Sequence, residues 1–230
     1  MEESYTTFVT QLNSVVQKYP HLEIVSENGE KLLRGNLDIV DENGRKWESY
    51  LMEIKYKEGF PYRYPKVYEL SNKIPKIANW HIYKDGSCCI DVPPSEIIKC
   101  KNGITVIGFI ESELFPYLFN QTHRRVEGYY VNKGYSHGLI GIYEFYSGKL
   151  ATGNKVRKTL ELIYYIANNS RLNRSNKCFC GSGKLFRKCH MQAFDELKKL
   201  GKSYLLDHIQ LIIENSNYKK VERFKKDFQF

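Results

Sequence analysis

The stretch HLEIVSENGEKLLRGNLDIVDENGRKWESYLMEIKY, residues 21–56, decides the fold. Its apolar and β-branched residues alternate with polar ones, and the tripeptide Glu-Asn-Gly interrupts it at 27–29 and 42–44. Alternation with a period of two is typical of half-buried strands, and Asn-Gly supplies the positive φ angles of tight hairpin turns. The stretch therefore predicts a three-stranded antiparallel meander, and residues 67–70 predict a fourth strand of the same sheet.

Helical patterns flank this sheet. Residues 5–19 carry apolar side chains at helical spacing, and Pro20 ends the pattern because proline disfavours a helical conformation at the residue before it. Further helices are predicted at 104–125 with a kink at Pro116, at 136–148 and at 154–170. Residues 71–101 follow neither period, and a long irregular connection inside a compact domain is usually functional. The sequence thus predicts an α+β fold.

Composition is typical of a folded protein. The chain has 230 residues, of which 42% are hydrophobic, enough for one large domain or one domain with an appendage. No apolar run approaches the roughly 20 residues that span a bilayer, and no apolar run follows a basic start. We therefore expect a soluble cytoplasmic protein without a membrane partner. Six cysteines, five of them in two tight groups, favour reduced thiols and a metal over disulfides.

The positive charge is concentrated in the last third of the chain. Residues 1–150 hold 18 Lys and Arg against 19 Asp and Glu, whereas residues 151–230 hold 17 against 7. This asymmetry predicts two parts, a larger domain at 1–150 and a helical basic extension at 151–230. The excess is explained either by solvated lysine faces on helices or by an acidic partner, which would be a nucleic acid or a protein.

The segment CFCGSGKLFRKCH, residues 178–190, has the composition of a metal site. Three potential thiolates and one imidazole satisfy a closed tetrahedral Zn²⁺ site, with Cys178, Cys180, Cys189 and His190 as ligands. The alternative is a basic loop with free cysteines. The segment resembles the SEC-C motif, a short zinc-binding element, with all four ligand positions filled. Because four protein ligands leave no open position for water, we expect a structural zinc ion.

The segments GFPYRYPKVYEL and HIYKDGSCCID, at 59–70 and 81–91, together resemble the ubiquitin-conjugating (UBC, or E2) fold, particularly its bacterial branch. The resemblance covers about residues 5–147 and implies the element order of an N-terminal helix, a four-stranded meander and C-terminal helices. Residue by residue, the positions that match the family's motifs are Tyr64, Pro65, His81, Gly86, Cys89, Ile90 and Asp91. Cys89 falls on the active-site cysteine, which the resemblance makes a thioester carrier.

Two positions depart from the family pattern. Tyr83 stands where the family has an asparagine thought to support the oxyanion or the loop, and Cys88 stands where an aliphatic residue is usual. A phenol also donates one hydrogen bond, so Tyr83 is either an oxyanion donor or a packing residue. Cys88 fills an apolar gap, resolves an intermediate on Cys89 or acts as a redox partner, and packing is the preferred interpretation. His81 either orients the loop or helps to activate Cys89.

A second stretch resembles E2-like proteins encoded in short type II CBASS antiphage operons. It contains Ser136, His137 and Gly138 before a helix with Glu144 and Tyr146. Ser136 is expected to cap that helix, with His137 in its first turn. The resemblance implies a nucleotidyltransferase or a ubiquitin-like modifier as protein partner. Cys88, Asp91 and His137 are accessory candidates.

Three functions follow from the sequence. The leading hypothesis is an E2-like cysteine transferase that forms a thioester on Cys89 and passes the acyl group to an amine. The second is a non-catalytic adaptor of the same fold, which the loss of asparagine at Tyr83 favours. The third is nucleic-acid binding by the basic, zinc-bearing extension, which is compatible with either of the others.

Overall fold

The computed structural model describes residues 2–40, 43–132 and 134–215. Two compact units make up the chain, and the boundary between them falls between Gly134 and Tyr135. Residues 216–230, the end of the basic extension that the sequence predicts at 151–230, lie outside the described residues. In the described part of the chain, no helix has both the length and the apolar character to cross a membrane.

The first unit is built on a four-stranded antiparallel sheet with strands in chain order. The strands are β1 (Leu22–Glu27), β2 (Glu30–Val40), β3 (Lys46–Lys55) and β4 (Lys66–Glu69). Asn28 and Gly29, which join β1 to β2, have φ angles of 52° and 82°. Two consecutive positive φ angles define the type I′ turn that Asn-Gly favours. The predicted four-stranded sheet is confirmed.

Helix α1 (Glu2–Lys18) covers the core of this unit. Phe8, Leu12 and Val15 on its apolar face are fully buried, as are Leu33 on β2 and Tyr50 on β3. Each such side chain contributes roughly 1.5–3 kcal/mol relative to exposure. The helix that the sequence predicts is therefore confirmed, and it ends before Pro20 as expected.

After the sheet, the chain returns through short helices, α2 (Pro93–Lys99), α3 (Val106–Phe109) and α4 (Phe115–Glu127). A π-helical turn at Ile110–Leu114 joins α3 to α4, and in it the Phe115 N–H donates to Ile110 O. The irregularity predicted at Pro116 is present, but it lies one turn earlier. Pro116 follows this π turn, and because the helical backbone is continuous through Leu114 and Phe115, its missing N–H removes one internal hydrogen bond.

The second unit is helical. Its helices are α5 (Gly138–Lys149), α6 (Val156–Asn168), α7 (Met191–Lys198) and α8 (Lys202–Asn215). Helix α5 contacts α6 and α8, so it belongs to this unit. The boundary between the units therefore lies after Gly134, whereas the sequence analysis placed it after residue 150. The expected cap at Ser136 is wrong by one residue, because His137 is the N-cap while Ser136 donates to Glu144 through its N–H (2.6 Å) and hydroxyl (2.8 Å).

Candidate metal centre and cysteine loop

Four predicted ligands converge in the second unit. The Sγ atoms of Cys178, Cys180 and Cys189 and a ring nitrogen of His190 all lie within 4.8 Å of one another. Nδ1 of His190 is 3.1 Å from Cys189 Sγ and 3.4 Å from Cys178 Sγ, and the Cys180 and Cys189 sulfurs are 3.6 Å apart. The cluster that the sequence predicts is therefore assembled in the structure.

These separations fit a tetrahedral metal ion. Bond lengths of about 2.3 Å to sulfur and about 2.05 Å to nitrogen place tetrahedral ligands about 3.8 Å apart for two sulfurs and about 3.6 Å apart for a sulfur and a nitrogen. The observed distances of 3.6 Å between sulfurs and 3.1–3.4 Å from nitrogen to sulfur are shorter than those edges by at most about half an ångström. The donor set is thus compatible with one closed four-ligand metal site.

The imidazole of His190 is oriented by a residue distant in sequence. Its Nε2 lies 2.9 Å from the backbone carbonyl oxygen of Leu150, which can only accept a hydrogen bond. Nε2 therefore carries the proton, and Nδ1, which faces the three sulfurs, is left as the ligand atom. No sequence signal marks this contact, because it depends on a backbone oxygen at the end of α5.

The local backbone explains how so short a segment gathers three thiols. Gly181 and Gly183 adopt φ angles of 81° and 75°, and the Cys178 N–H donates to Lys184 O at 2.8 Å, which closes the loop. Burial opposes ionisation of Cys180, but hydrogen bonds from the Ser182 hydroxyl and N–H lower its pKa to about 6. A thiol with so low a pKa is ready to bind a cation at neutral pH.

This closed site of three cysteines and one histidine, built on a glycine-containing loop before a helix, defines a small metal-binding module. Residues 174–192 match the SEC-C motif, which confirms the resemblance seen at 178–190. Neither a curated protein nor a solved structure matches the chain.

The second site is the cysteine loop of the first unit, residues 79–91. An isolated antiparallel bridge joins Ile82 to Cys88, and the Cys88 N–H donates to Val67 O at 2.8 Å, which attaches the loop to β4. In the turn between Ile82 and Cys88, the Gly86 N–H donates to Tyr83 O at 3.0 Å, and Gly86 has a φ of 83°. The predicted turn glycine therefore has the conformation that glycine favours.

Cys89 follows this hairpin and is only 8% exposed. Its thiol donates to the Tyr83 hydroxyl, with the sulfur and the oxygen 3.2 Å apart. Burial raises the pKa of Cys89 above its ordinary 9.0, the Tyr83 hydroxyl lowers it, and the carboxylates of Asp91 and Glu96 raise it further. The phenol is thus the group that stabilises the thiolate.

His81 supports the same loop. Its backbone carbonyl accepts the N–H of Cys89 at 2.7 Å and the hydroxyl of Tyr117 at 3.0 Å, and its φ of 54° is left-handed. A ring nitrogen of His81 lies within 4.8 Å of Cys89 Sγ. The geometry therefore gives His81 a structural role through its backbone and leaves its ring beside the thiol.

Helix α4 anchors the loop through residues that the sequence analysis did not identify. Tyr117 binds His81 O, and Gln121 Nε2 donates to Trp80 O at 3.0 Å. The Arg124 guanidinium lies 4.1 Å above the Trp80 ring and also donates to Asn79 O. Their spacing in the sequence could have identified Tyr117, Gln121 and Arg124 as one surface, since residues three or four apart share one helix face.

The remaining candidates have other surroundings. Cys88 belongs to the apolar core, and burial raises its pKa to about 12, so packing describes its position. Asp91 accepts the Ser95 hydroxyl at 2.6 Å and pairs with Lys99 at 2.9 Å, so it fixes the start and end of α2. For His137, which the structure places at the N-cap of α5, an approach to the cysteine loop stays a prediction.

A cavity of about 500 Å³ adjoins the hairpin, with Tyr83 and Ile90 in its wall. At its edge, the buried carboxylate of Glu96 accepts Arg63 Nε at 2.7 Å and the Tyr64 N–H at 3.0 Å. Although burial opposes it, this pairing keeps the pKa of Glu96 below its usual value. The hydrogen bonds of Glu96 hold the segment around Tyr64 and Pro65 against α2. The sequence contains no signal for this contact.

Proposed function

We propose that this chain is an E2-like cysteine transferase of the ubiquitin-conjugating fold, with Cys89 as the acyl carrier and a structural zinc ion in the SEC-C motif. The observation that supports it best is the hydrogen bond of 3.2 Å between Tyr83 and Cys89 on an ordered hairpin. The order of an N-terminal helix, a four-stranded meander and a cysteine loop before further helices also agrees with that fold.

The proposed reaction has two steps. The Cys89 thiolate attacks the carbonyl carbon of a partner's C-terminal acyl group, which a second protein supplies as an adenylate or a thioester; a C–S bond forms and the leaving group departs with its electron pair. An amine of the target then attacks the same carbon, a C–N bond forms, and the sulfur leaves with its electrons and takes up a proton. No redox partner is needed.

Tyr83 has two parts in this scheme. Before acylation, its hydroxyl accepts the S–H of the thiol and, once the thiol is ionised, donates to the thiolate. After acylation, the sulfur no longer carries charge, and the same donor is available to the oxyanion that develops at the adjacent carbonyl. His81, with a ring nitrogen within 4.8 Å of the thiol, is the candidate for moving the thiol proton.

The partner that fits the resemblance is the signalling nucleotidyltransferase of a CBASS antiphage operon, whose C-terminus would be the acyl group. A ubiquitin-like modifier is the alternative acyl donor. Zinc, when bound by Cys178, Cys180, Cys189 and His190, would crosslink α5, through the Leu150 contact, to the loop before α7.

The experiment is intact-mass measurement of the chain co-expressed with the nucleotidyltransferase, with and without reductant. We expect an adduct that a thiol reductant removes from the wild type and that is absent in Cys89→Ala. In Cys89→Ser, the adduct should persist in reductant, because an oxygen ester resists thiol exchange. The mass of the adduct identifies the acyl group.

The matched control is Cys100→Ala, which removes another buried cysteine outside the loop. It should form the same adduct as the wild type. An unchanged adduct in Cys89→Ala would remove Cys89 from the mechanism.

One observation favours a second function, that of a non-catalytic adaptor. Cys89 is 8% exposed and its pKa is raised, which are properties of a structural thiol. An adaptor would form no adduct, and its Cys89 would react with iodoacetamide only after denaturation.

A further inference from the structure

The zinc-site loop carries a dense set of exposed cations. These cations, called here the knuckle cations, are Arg171, Arg174, Lys177, Lys184, Arg187 and Lys188. The sequence contains no Asp or Glu between Glu161 and Asp195, and among the described residues none of the six lies within 4.0 Å of a carboxylate. Elsewhere in the same unit, Arg157, Lys158 and Lys149 do pair with carboxylates. The knuckle cations are therefore a run of six exposed positive charges that have no carboxylate partner among the described residues.

Two of the knuckle cations border a groove. Arg171 and Arg174 line a cavity of about 330 Å³ together with Ser170, Leu172 and Met191. Phe186 and Phe194, which are both 3% exposed and whose rings meet edge to face at 5.6 Å, form its buried apolar floor, and Asp195 also lines it. This volume is roughly ten times that of one water molecule in the liquid, so a flat heterocycle fits. The groove thus joins an apolar floor to a cationic rim.

We infer that this groove and the knuckle cations bind single-stranded nucleic acid, with a base in the groove and the flanking phosphates on the arginines. The site lies in the second unit and does not depend on the chemistry proposed for Cys89. Guanidinium groups bind phosphate through paired N–H donors and also stack on bases. Leu172 and Met191, both half-buried, offer apolar contact to a base face, and Asp195 and Ser170 offer hydrogen bonds to its edge.

The groove distinguishes this ligand from an acidic protein surface. Carboxylate side chains would pair with the cations, but they carry no flat apolar group for the floor. A nucleotide combines an anion and a flat ring within one repeat unit, which matches the adjacent rim and floor. In duplex DNA, the bases are stacked inside the helix and the floor would contact nothing.

The test uses the zinc-loaded full chain and a fluorescein-labelled 20-nucleotide thymidine strand, with binding followed by fluorescence anisotropy between 50 and 200 mM salt. The test variant is Arg171→Ala with Arg174→Ala. Each phosphate contact on a single strand changes the slope of log K against log salt by about 0.7, which is about fivefold in affinity at 0.1 M salt. We expect the double variant to bind about 25-fold more weakly and its slope to be smaller by about 1.4.

The matched control is Arg157→Ala with Lys158→Ala, which removes the same charge from cations that already pair with Glu161. It should bind within about twofold of the wild type, and zinc content should be equal in all three proteins. Equal losses in the two double variants would overturn the site. So would the absence of binding at 50 mM salt, tighter binding of a duplex of equal length, or equal competition by polyglutamate, which would assign the surface to an acidic protein.

Discussion

Replacing Tyr83 with phenylalanine tests the physical basis of the cysteine site. The change keeps the ring and removes one oxygen, which lies 3.2 Å from Cys89 Sγ. This oxygen accepts the S–H of the thiol, and its own O–H can donate to the thiolate, which lowers the pKa of Cys89. Without this donor, the thiolate loses its hydrogen bond inside a pocket where burial and the Asp91 and Glu96 carboxylates already disfavour negative charge. The pKa of Cys89 should therefore rise further.

The size of the effect follows from the exposure of the phenol. A hydrogen bond to a charged group contributes roughly 1.5–3 kcal/mol, but Tyr83 is 46% exposed and water replaces part of the loss. We therefore expect the lower end, about 1.4 kcal/mol or one pKa unit. At pH values below the pKa, the fraction of Cys89 present as thiolate then falls about tenfold, whereas the more basic thiolate is intrinsically about threefold more reactive. The net rate should fall about threefold to fourfold.

The assay is iodoacetamide alkylation of Cys89 in the native protein from pH 7 to 11, followed by peptide mass spectrometry. The wild-type rate should rise with pH through a midpoint above 9.0, because the folded site raises the pKa of Cys89. The profile of the Tyr83→Phe variant should lie below it at low pH and cross above it once both thiols are ionised. Tyr62→Phe, another exposed tyrosine, is the control and should match the wild type. Superimposable Tyr83→Phe and wild-type profiles would refute the role of the phenol.

Three further predictions concern metal binding and stability. Elemental analysis should find one zinc per chain, and Cys180→Ser should lose it, since the tetrahedron then lacks a sulfur; retention of zinc by the variant would exclude this ligand. Burial lowers the pKa of His208 to about 4, so the unfolded chain binds the proton more tightly between pH 6.5 and 4. The free energy of unfolding in urea should fall by up to about 3 kcal/mol as pH drops through that window, and it should fall less in His208→Gln; equal slopes would contradict this. Glu96→Gln, which leaves Arg63 without its carboxylate, should lower the free energy of unfolding by about 2 kcal/mol, and an unchanged urea midpoint would show that the pair contributes nothing.

Local chemistry explains which features the sequence predicts. The sheet follows from alternation and from Asn-Gly, because the φ angles at Asn28 and Gly29 are properties of those two residues and their turn. The candidate metal ligands follow in the same way, since Cys178, Cys180 and the adjacent Cys189 and His190 are held by one short loop. In both cases, the partners are close in sequence, so residue type and spacing are sufficient.

Features that depend on distant partners gave no such signal. The Leu150 carbonyl that orients His190 is an ordinary backbone oxygen, and only the packing of α5 brings it to the imidazole. Helix α2 was missed although Pro93 and Pro94 at its start are typical of a first turn, because the segment is too short to show a helical period. The boundary before α5 likewise depends on contacts with α6 and α8.

The raised pKa of Cys89 bears on how an acyl carrier of this kind would behave. A thiolate that is hard to form is a strong nucleophile once formed and a poor leaving group afterwards. Its thioester would therefore form from a well-activated donor and then resist attack by water or a weakly basic amine. Release would need a positioned amine and an oxyanion donor, and Tyr83 is the donor within reach of the sulfur. If Cys89 carries an acyl group, Tyr83→Phe should thus lengthen the life of the thioester as well as slow its formation, whereas an adaptor would form no thioester in either protein.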